Sequence, residues 1–316
     1  MTDPSRAEPA TISQALSRKA VVITGAGRGI GAATARYLAA LGANVIVNDI
    51  DASPASSVVD EIRVAGGNAE VDTSDIRSSK EAANLIDHCV EVFGRIDGLV
   101  NNAGLFHIDR LEDTDPNAFV DLMMVNVLGT FNCAQHAIRR MYAQGRGSIV
   151  NITSGAQAGI PMMTSYSASK GAVSSMTYTW ALEAATTGVR INAVSPVATT
   201  RMSEVQARRT QRSPGAGTPP EVNAPLIAFL LSDRSKGING QVIRFVNDSL
   251  SIMSHPAICA PVFQSPRWTL ESIADVFEHD LERHLQPVGL STLSVSPALP
   301  EDVKLPWPPS DAALGH

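Results

Sequence analysis

The chain has 316 residues, of which 44% are hydrophobic and 18% are charged, a composition typical of a folded globular protein rather than a disordered one. Asp and Glu number 31 against 25 Lys and Arg, so the net charge is −6. Because this balance attracts neither nucleic-acid phosphates nor anionic lipid, we expect no nucleic-acid partner and no membrane partner.

The three cysteines, Cys89, Cys133 and Cys259, are widely spaced and form no CxxC pair. They predict neither a disulfide framework nor a zinc site, and they favour a reducing compartment. The first residues contain Asp3 and Glu8 where a secretory signal needs an unbroken apolar run. No apolar stretch of about 18 residues occurs. We therefore expect a soluble, cytoplasmic protein without a metal site.

From residue 19 onward, short runs rich in Val and Ile alternate with longer Ala-rich runs of helical periodicity. This order predicts an α/β protein with one Rossmann-type, doubly wound parallel sheet and helices on both faces. The seven predicted strands are Ala20–Thr24, Asn44–Asn48, Ala69–Asp72, Gly98–Val100, Ser148–Ile152, Arg190–Val194 and Gln241–Val246. The predicted helices are roughly Ile30–Leu41, Ala55–Ala65, Ser79–Phe93, Asn117–Ala143, Tyr166–Thr186 and Pro220–Leu231.

The composition changes near residue 250. Residues 251–316 contain nine of the 19 prolines but two of the 23 glycines, so they do not predict another βαβ unit. An apolar stripe at steps of three to four predicts one amphipathic helix that must bury that stripe: Leu270, Ile273, Phe277, Leu281 and Leu285. The Pro-rich end, residues 296–316, is expected to be extended or disordered, and residues 1–17 to be a flexible segment.

A glycine-rich segment, TGAGRGIG at residues 24–31, follows the first predicted strand and opens the first predicted helix. A helix N-terminus offers free N–H groups, and glycine lets a pyrophosphate approach the backbone closely. A merely tight strand-to-helix turn is the alternative, but the flanking strand and helix favour phosphate binding. The candidate phosphate-binding residues are Gly25, Arg28, Gly29, Ile30 and Gly31.

Asp49 ends the second predicted strand, 24 positions after Gly25. A carboxylate there can accept hydrogen bonds from the adenosine ribose, whereas it would repel a 2′-phosphate. The sequence therefore favours NAD over NADP. Arg28 is the opposing signal because its guanidinium could bind a 2′-phosphate, and Asp51 is interpreted as a solvated surface charge.

Tyr166 and Lys170 are four residues apart in a predicted helix, so both side chains emerge on one face. Moving a phenol pKa from about 10 to about 7 requires about 4 kcal/mol. A nearby ammonium together with a positively charged nicotinamide could supply it, which would make Tyr166 a general base.

Other polar residues are predicted to lie at the same sheet edge. Ser154 follows the fifth strand, where its hydroxyl can donate to a substrate oxygen, although a lone serine after a strand is more often a turn or cap. Asn126 lies inside a long helical stretch, where an amide often has another duty. The turn at residues 101–104, NNAG, would place backbone against a cofactor.

Over residues 18–250 the chain resembles the short-chain dehydrogenase/reductase family. The resemblance is carried by TGAGRGIG, Asp49, Asp75-Ile76, NNAG, Asn126, Ser154 and YSASK at residues 166–170. The resemblance implies a dinucleotide-binding catalytic domain, usually a homotetramer or homodimer. It also implies hydride exchange between a nicotinamide cofactor and a secondary alcohol or ketone.

The resemblance also implies a role for each matching residue. Tyr166 would be the general acid and base, Ser154 would hold the substrate oxygen, and Lys170 would bind the nicotinamide ribose and lower the Tyr166 pKa. Asn126 would anchor a water of the proton relay. Asp75 and Ile76 would contact the adenine of the cofactor, and Thr200 would contact its carboxamide. The turn that faces the cofactor would contribute Asn102, Ala103 and Gly104.

Two features depart from the family pattern. Val197 follows Pro196 where the family usually has Pro-Gly, so a Cβ occupies space near the expected position of the nicotinamide. The usual Gly-Gly after the last strand is absent, and 66 residues follow residue 250. This C-terminal extension is expected either to cover a substrate cleft, its own or a neighbour's, or to lie on the rim.

The predicted function is an NAD-dependent alcohol dehydrogenase or ketoreductase acting on a small molecule. An apolar substrate body, as in a hydroxyacyl thioester, terpenoid or steroid-like alcohol, is favoured by nearby apolar residues that could equally belong to the core: Leu105, Phe106, Ile108, Ile160, Met162, Met163 and Met202. The alternative is a dinucleotide-binding sensor or scaffold without turnover. Such a protein would lack a catalytic residue, and none is lacking here.

Overall fold

Eight strands form one sheet in this computed structural model, which describes residues 16–198, 218–246, 249–258 and 261–285. The strands are β1 (Ala20–Thr24), β2 (Asn44–Asn48), β3 (Asn68–Asp72), β4 (Gly98–Asn101), β5 (Gly147–Ile152), β6 (Val189–Pro196), β7 (Val242–Val246) and β8 (Ser249–Ile252). Their order is β3-β2-β1-β4-β5-β6-β7-β8, and β1 to β7 are parallel. The expected doubly wound α/β sheet is confirmed.

Within the described residues the strand count is eight rather than the expected seven. β8 pairs antiparallel with β7, with Leu250 opposite Phe245 and Ile252 opposite Ile243. All four residues of β8 are exposed. A strand this short, following polar residues 247 and 248, lacks the apolar run by which the other strands are recognised in the sequence.

Helices cover both faces of the sheet. They are α1 (Gly29–Ala40), α2 (Ala52–Val64), α3 (Ser79–Phe93), α4 (Pro116–Met123), α5 (Thr130–Gln144), α6 (Thr164–Glu183) and α7 (Ala224–Leu231). The long helix predicted over Asn117–Ala143 is interrupted by a π-helical turn at Met124–Gly129. The helix predicted from Pro220 starts with a 3₁₀ turn, Pro220–Asn223.

Two apolar clusters hold these layers together. On one face, side chains of α1, α2 and α7 pack against the sheet, for example Leu38, Ile62 and Ile227. On the other face, α3, α5 and α6 contribute residues such as Leu85 and Met141. Because β1, β4 and most of β5 are buried on both sides, their sequences are nearly continuous apolar runs.

The described residues up to His255 form one compact unit and those from Pro256 form a second. The second unit contains α8 (Leu270–His279), which begins with a capping box between Thr269 and Ser272, and a 3₁₀ turn, Leu281–His284. No residue of α8 is buried. The expected amphipathic helix is present, but its apolar stripe is exposed, because its own unit has no second described helix of comparable length or strand to pack on it.

Candidate active site

The order of the strands creates a crevice at the carboxyl edge of the sheet. The chain runs outward from β1 to β2 and β3 and then returns to the other side of β1 at β4. At such a switch point the two neighbouring loops diverge and leave room for a ligand. The glycine segment after β1 and the NNAG turn after β4 both lie there.

The glycine segment is a tight loop held against the NNAG turn. Gly25 and Gly29 have φ of +60° and +56°, a left-handed conformation that glycine adopts without strain. The Asn102 amide donates 2.9 Å hydrogen bonds to the carbonyl oxygens of Thr24 and Gly25. A Cβ at Gly31 would lie 2.5 Å from the Asn102 amide nitrogen, so this position has room only for glycine.

The N-terminus of α1 is well suited to a phosphate group. Arg28 is the N-cap residue, its side chain makes no capping hydrogen bond, and the first turn of α1 contains no acidic residue. The first N–H groups of a helix have no partner within the helix, so those of residues 29–31 are available to an anion. The loop and this helix start together fit the pyrophosphate of a dinucleotide.

Asp49 lies directly beside this loop. Its carboxylate accepts hydrogen bonds from the N–H groups of Gly27, at 2.9 Å, and Asp51, at 3.0 Å. Arg28 forms an ion pair with Asp51 at 2.7 Å. Asp51 is exposed, as expected of a surface charge, and its carboxylate pairs with the guanidinium that favours NADP.

Asp75 and Ile76 follow β3 and have different surroundings. The Asp75 carboxylate is bound by the Arg77 guanidinium at 2.6 to 3.0 Å, which holds the pKa of Asp75 below its usual value. The Ile76 side chain is buried against Gly129, and its carbonyl accepts from the Asn132 amide. In this segment, the groups that could contact an adenine are the backbone of Ile76 and the side of the Asp75 carboxylate that faces away from Arg77.

Tyr166 and Ser154 meet at the start of α6. Burial raises the pKa of Tyr166 to about 12, and a hydrogen bond with the Ser154 side chain opposes that rise. Ser154 also caps the 3₁₀ turn that follows it, because its hydroxyl oxygen accepts from the Ala156 N–H at 3.1 Å. The two interpretations of this serine are thus compatible, since one oxygen can accept from the backbone and still donate its own proton.

Lys170 is buried one helical turn after Tyr166. Its ammonium donates a 2.7 Å hydrogen bond to the Ile152 carbonyl oxygen and lies 5.6 Å from the centre of the Tyr166 ring. Burial lowers the pKa of Lys170 to about 8. With the chain's own groups alone, burial therefore dominates both residues, and the Tyr166 pKa lies above 10 instead of near 7.

Asn126 lies in the π-helical turn, a distortion frequent at functional sites. Its amide oxygen accepts from the Leu105 N–H at 2.7 Å, and its amide nitrogen donates to the Leu105 carbonyl and the Ser169 hydroxyl. A Cβ at Gly104 would lie 3.2 Å from the Asn126 amide oxygen and 3.8 Å from the Lys170 ammonium. These contacts join the NNAG turn to α6.

Phe106 packs on Tyr166 from the segment after β4. The two ring centres are 4.8 Å apart and the ring planes meet at 84°, an edge-to-face contact. Of the other apolar residues predicted near the site, Ile108 and Met163 are buried, whereas Leu105 and Met162 are each 38% exposed. The latter pair and the partly buried Phe106 and Ile160 can therefore contact a ligand.

The structure adds residues that the sequence analysis did not select. The buried Thr24 hydroxyl accepts from the N–H groups of Asn102 and Ala103, both at 3.1 Å, and so fixes the NNAG turn. Gly27 holds Asp49, and Ser169 links Asn126 to the Tyr166 carbonyl. In the sequence, the role of Thr24 was indicated only by its position at the end of a strand, before a glycine loop. No feature of the sequence indicated a role for Ser169.

Val197 and Thr200 were expected near the nicotinamide. The Val197 N–H donates to the Phe245 carbonyl, which extends the pairing of β6 and β7, and its side chain is 37% exposed. Thr200 and Met202 lie outside the described residues. Nothing in the described ranges forms a group of three or more potential metal ligands, and none of the helices described is long and apolar enough to cross a lipid bilayer.

Comparison with known proteins gives a consistent result. The chain is 36% identical to cis-4-hydroxycyclohexanecarboxylate dehydrogenase of Sinomonas cyclohexanicum, over 73% of the chain and 96% of that protein. It is 38% identical to 3-oxoacyl-[acyl-carrier-protein] reductase FabG of Thermotoga maritima, over 72% of the chain and 96% of the reductase.

Solved structures show the same likeness. A short chain dehydrogenase from Mycobacterium avium superposes with a TM-score of 0.77 at 32% identity, covering 87% of this chain and 98% of that one. NAD⁺-bound xylitol dehydrogenase gives 0.70 at 28% identity, over 73% and 99% of the two chains. Gluconate 5-dehydrogenase from Burkholderia cenocepacia, in complex with NADP and tartrate, gives 0.67 at 31% identity, over 74% and 96%.

A family model described as short chain dehydrogenase matches residues 19–212, which include the glycine loop, Asn126, Ser154, Tyr166 and Lys170. The chain therefore belongs to the short-chain dehydrogenase/reductase family of oxidoreductases.

Proposed function

We propose that the protein exchanges a hydride between a nicotinamide dinucleotide and a secondary alcohol or ketone, with Tyr166 as the general acid and base. The observation that carries the proposal is the convergence of Tyr166, Ser154 and Lys170 beside the glycine loop. Contacts of the NNAG turn with Gly25 on one side and with Asn126 on the other make this one continuous site.

The residues present fit a dinucleotide. The uncapped start of α1 would hold the pyrophosphate, Asp49 would accept from the adenosine ribose, and Asp75 and Ile76 would flank the adenine. Lys170 would bind the nicotinamide ribose, and the loop containing Val197 and Thr200 would adjoin the nicotinamide. When bound, the oxidised nicotinamide accepts the hydride that leaves the alcohol carbon.

Two observations support NAD over NADP. Asp49 places a carboxylate where a 2′-phosphate would be repelled, and the ion pair with Asp51 occupies the Arg28 guanidinium. The titles of the related structures name both NAD⁺ and NADP, so the preference of this chain rests on its own side chains.

Ser154 and Tyr166 would act on the substrate oxygen. In oxidation, the alcohol O–H proton passes to the Tyr166 phenolate, while the carbon gives up a hydride that carries both electrons of the broken C–H bond. In reduction, the phenol returns that proton to the oxygen. Ser154 would hold the oxygen by a hydrogen bond, and Asn126 would anchor a water of the proton relay.

The substrate is proposed to have an apolar body. Leu105, Phe106, Ile160 and Met162 are the partly accessible apolar side chains that could contact it. The Sinomonas relative is named for a ring alcohol that bears a carboxylate, which agrees with an apolar frame around a secondary hydroxyl. A cytoplasmic location and a homo-oligomeric state, a tetramer or dimer, are proposed with this function.

An absorbance screen of secondary alcohols with NAD⁺ and NADP⁺, and of the matching ketones with the reduced cofactors, tests the proposal. We expect turnover with at least one cyclic or long-chain alcohol, and faster turnover with NAD⁺ than with NADP⁺. Cofactor binding without any turnover across a broad panel would instead indicate the dinucleotide-binding sensor or scaffold.

A further inference from the structure

Phe106 and Lys170 border the ring of Tyr166. Phe106 makes the edge-to-face contact at 4.8 Å, and the Lys170 ammonium lies 5.6 Å from the ring centre. Edge-to-face aromatic pairs are stabilising beyond the area they bury, so this contact restrains the orientation of the phenol. In the proposed function, Phe106 is only one of several apolar side chains that could contact the substrate.

The segment that carries Phe106 is fixed at both ends. At Leu105, the backbone N–H and carbonyl are both bound by the Asn126 side chain. At Asp109, the backbone N–H donates to the Met162 carbonyl at 2.9 Å, in a short bridge with the chain that enters α6. Phe106 is therefore held against Tyr166 by the backbone on either side of it.

The Met162 end of this bridge is strained. Met162 has φ of +66°, a left-handed conformation that is unfavourable for a non-glycine residue and persists only where its surroundings enforce it. Such strain is frequent at functional sites. Here it allows the Met162 carbonyl to accept from Asp109 and so to fix the Phe106 segment beside α6.

An apolar ring beside a phenol excludes water from it. Burial penalises the phenolate and is the dominant influence on Tyr166. Among the described residues, the Ser154 side chain forms a hydrogen bond with the phenol, the Lys170 ammonium lies over the ring, and Phe106 packs edge to face against the ring. Asn126 reaches α6 only through Ser169 and is neutral.

We infer that Phe106 is a positioning residue that shields the Tyr166 phenol from water and thereby sets the pH at which this residue loses its proton. The inference rests on the proposed function for its effect on turnover, but the protonation of Tyr166 can be measured without turnover. Loss of the ring should admit water, ease ionisation and move the alkaline transition of Tyr166 to lower pH.

Ultraviolet titration of tyrosinate in the full chain tests the inference. Each protein is compared with a partner that also carries Tyr166→Phe, so that the difference reports Tyr166 alone among the four tyrosines. For Phe106→Leu we expect the midpoint to fall by at least about one pH unit. Phe106→Trp, which keeps an aromatic ring, should remain close to the unsubstituted chain.

Two matched controls accompany this titration. Phe131→Leu removes the ring of another aromatic pair, with Trp180, on the outer surface of α5, and it should leave the Tyr166 midpoint unchanged. His107→Gln removes the imidazole next to Phe106 and should do the same. Melting temperatures confirm that each variant is folded; should Phe106→Leu fail to fold, Phe106→Met, of similar volume, takes its place.

The pH profile of alcohol oxidation provides the second readout. If Phe106 acts as inferred, the rise of kcat/KM with pH shifts to lower pH in Phe106→Leu by the same amount as the titration midpoint. A folded Phe106→Leu protein with an unshifted midpoint and an unshifted profile overturns the inference, even if kcat falls. If the unsubstituted chain shows no turnover, the proposed function is wrong, but the titration still tests the role of Phe106.

Discussion

The Lys170 ammonium donates a 2.7 Å hydrogen bond to the Ile152 carbonyl oxygen, which connects α6 to the last residue of β5. Ser154 lies two residues beyond that carbonyl. The same bond therefore fixes the spacing between the strand that carries Ser154 and the helix that carries Tyr166. Lys170 positions the site in addition to any contact it makes with a cofactor.

The raised pKa of Tyr166 predicts the pH dependence of both reaction directions. Because oxidation needs the phenolate and the pKa of Tyr166 is about 12, the reactive fraction grows with pH throughout the neutral and alkaline range. We expect kcat/KM for oxidation to rise between about pH 6 and 9, and that for reduction, which needs the phenol, to change little there. Steady-state rates in both directions check this, and a flat oxidation profile would contradict it.

Substitution of Gly31 tests whether the glycine loop must lie close to the NNAG turn in order to bind the cofactor phosphates. Alanine there would force its Cβ against the Gly25 carbonyl and the Asn102 amide. We expect Gly31→Ala to weaken NAD binding at least about tenfold, although alanine favours helix by about 1 kcal/mol. Binding is measured by fluorescence titration.

Gly171→Ala is the matched control for Gly31→Ala, because a Cβ at this α6 position meets no atom within 4 Å. It should bind NAD as the unsubstituted chain does and be equally or more stable. Normal binding by Gly31→Ala would show that the loop does not hold the cofactor as proposed.

Asp49 is predicted to set the choice between NAD and NADP. Asp49→Asn removes the charge that repels a 2′-phosphate, so the ratio of kcat/KM for NAD over NADP should fall at least about tenfold. Asp60→Asn, on the exposed surface of α2, changes the net charge equally and should leave the ratio unaltered. An unchanged ratio in Asp49→Asn, with the variant still folded, would exclude the ribose role of Asp49.

Asn126→Ala separates stability from catalysis. The substitution leaves the Leu105 N–H and carbonyl without their partner, which should lower the free energy of unfolding by about 3 kcal/mol and reduce turnover as well. Asn192→Ala removes a similarly buried amide that bonds Ile238 and Gln241 away from the site, so it should lose stability but keep kcat. Urea unfolding and initial rates distinguish the two, and equal kcat in both variants would argue against a catalytic role for Asn126.

Much of the fold could be predicted because the parallel strands are buried on both faces. Their apolar runs are visible in the sequence, and Ser79–Phe93 was predicted at its observed bounds, since Ser78 caps it and Gly94 ends it. β8 was missed because its alternating Ser, Leu, Ser and Ile lack such a run. The π-helical turn that contains Asn126 was missed because it is a single turn inside an otherwise α-helical run, too short for a periodicity of its own to show in the sequence.

The site could be predicted in its residues but less well in its electrostatics. The four-residue spacing of Tyr166 and Lys170 predicted that they share one helix face. The position of Ser154 after a strand predicted that it lies at the same edge of the sheet. Burial, however, depends on residues distant in sequence, and without a cofactor it raises the pKa of Tyr166; the expected lowering also requires a positively charged nicotinamide and stays a prediction. The Arg28–Asp51 ion pair likewise depends on how two loops approach each other.

The most direct test of the account compares the unsubstituted chain with Tyr166→Phe and Tyr178→Phe, two identical changes on α6. Turnover of the best alcohol found in the screen is measured beside NAD binding. We expect Tyr166→Phe to lose at least about a thousandfold in kcat and still to bind NAD. Tyr178 contacts His255, away from this site, so Tyr178→Phe should keep its rate. A Tyr166→Phe protein that turns over alcohol as fast as the unsubstituted chain would contradict the account.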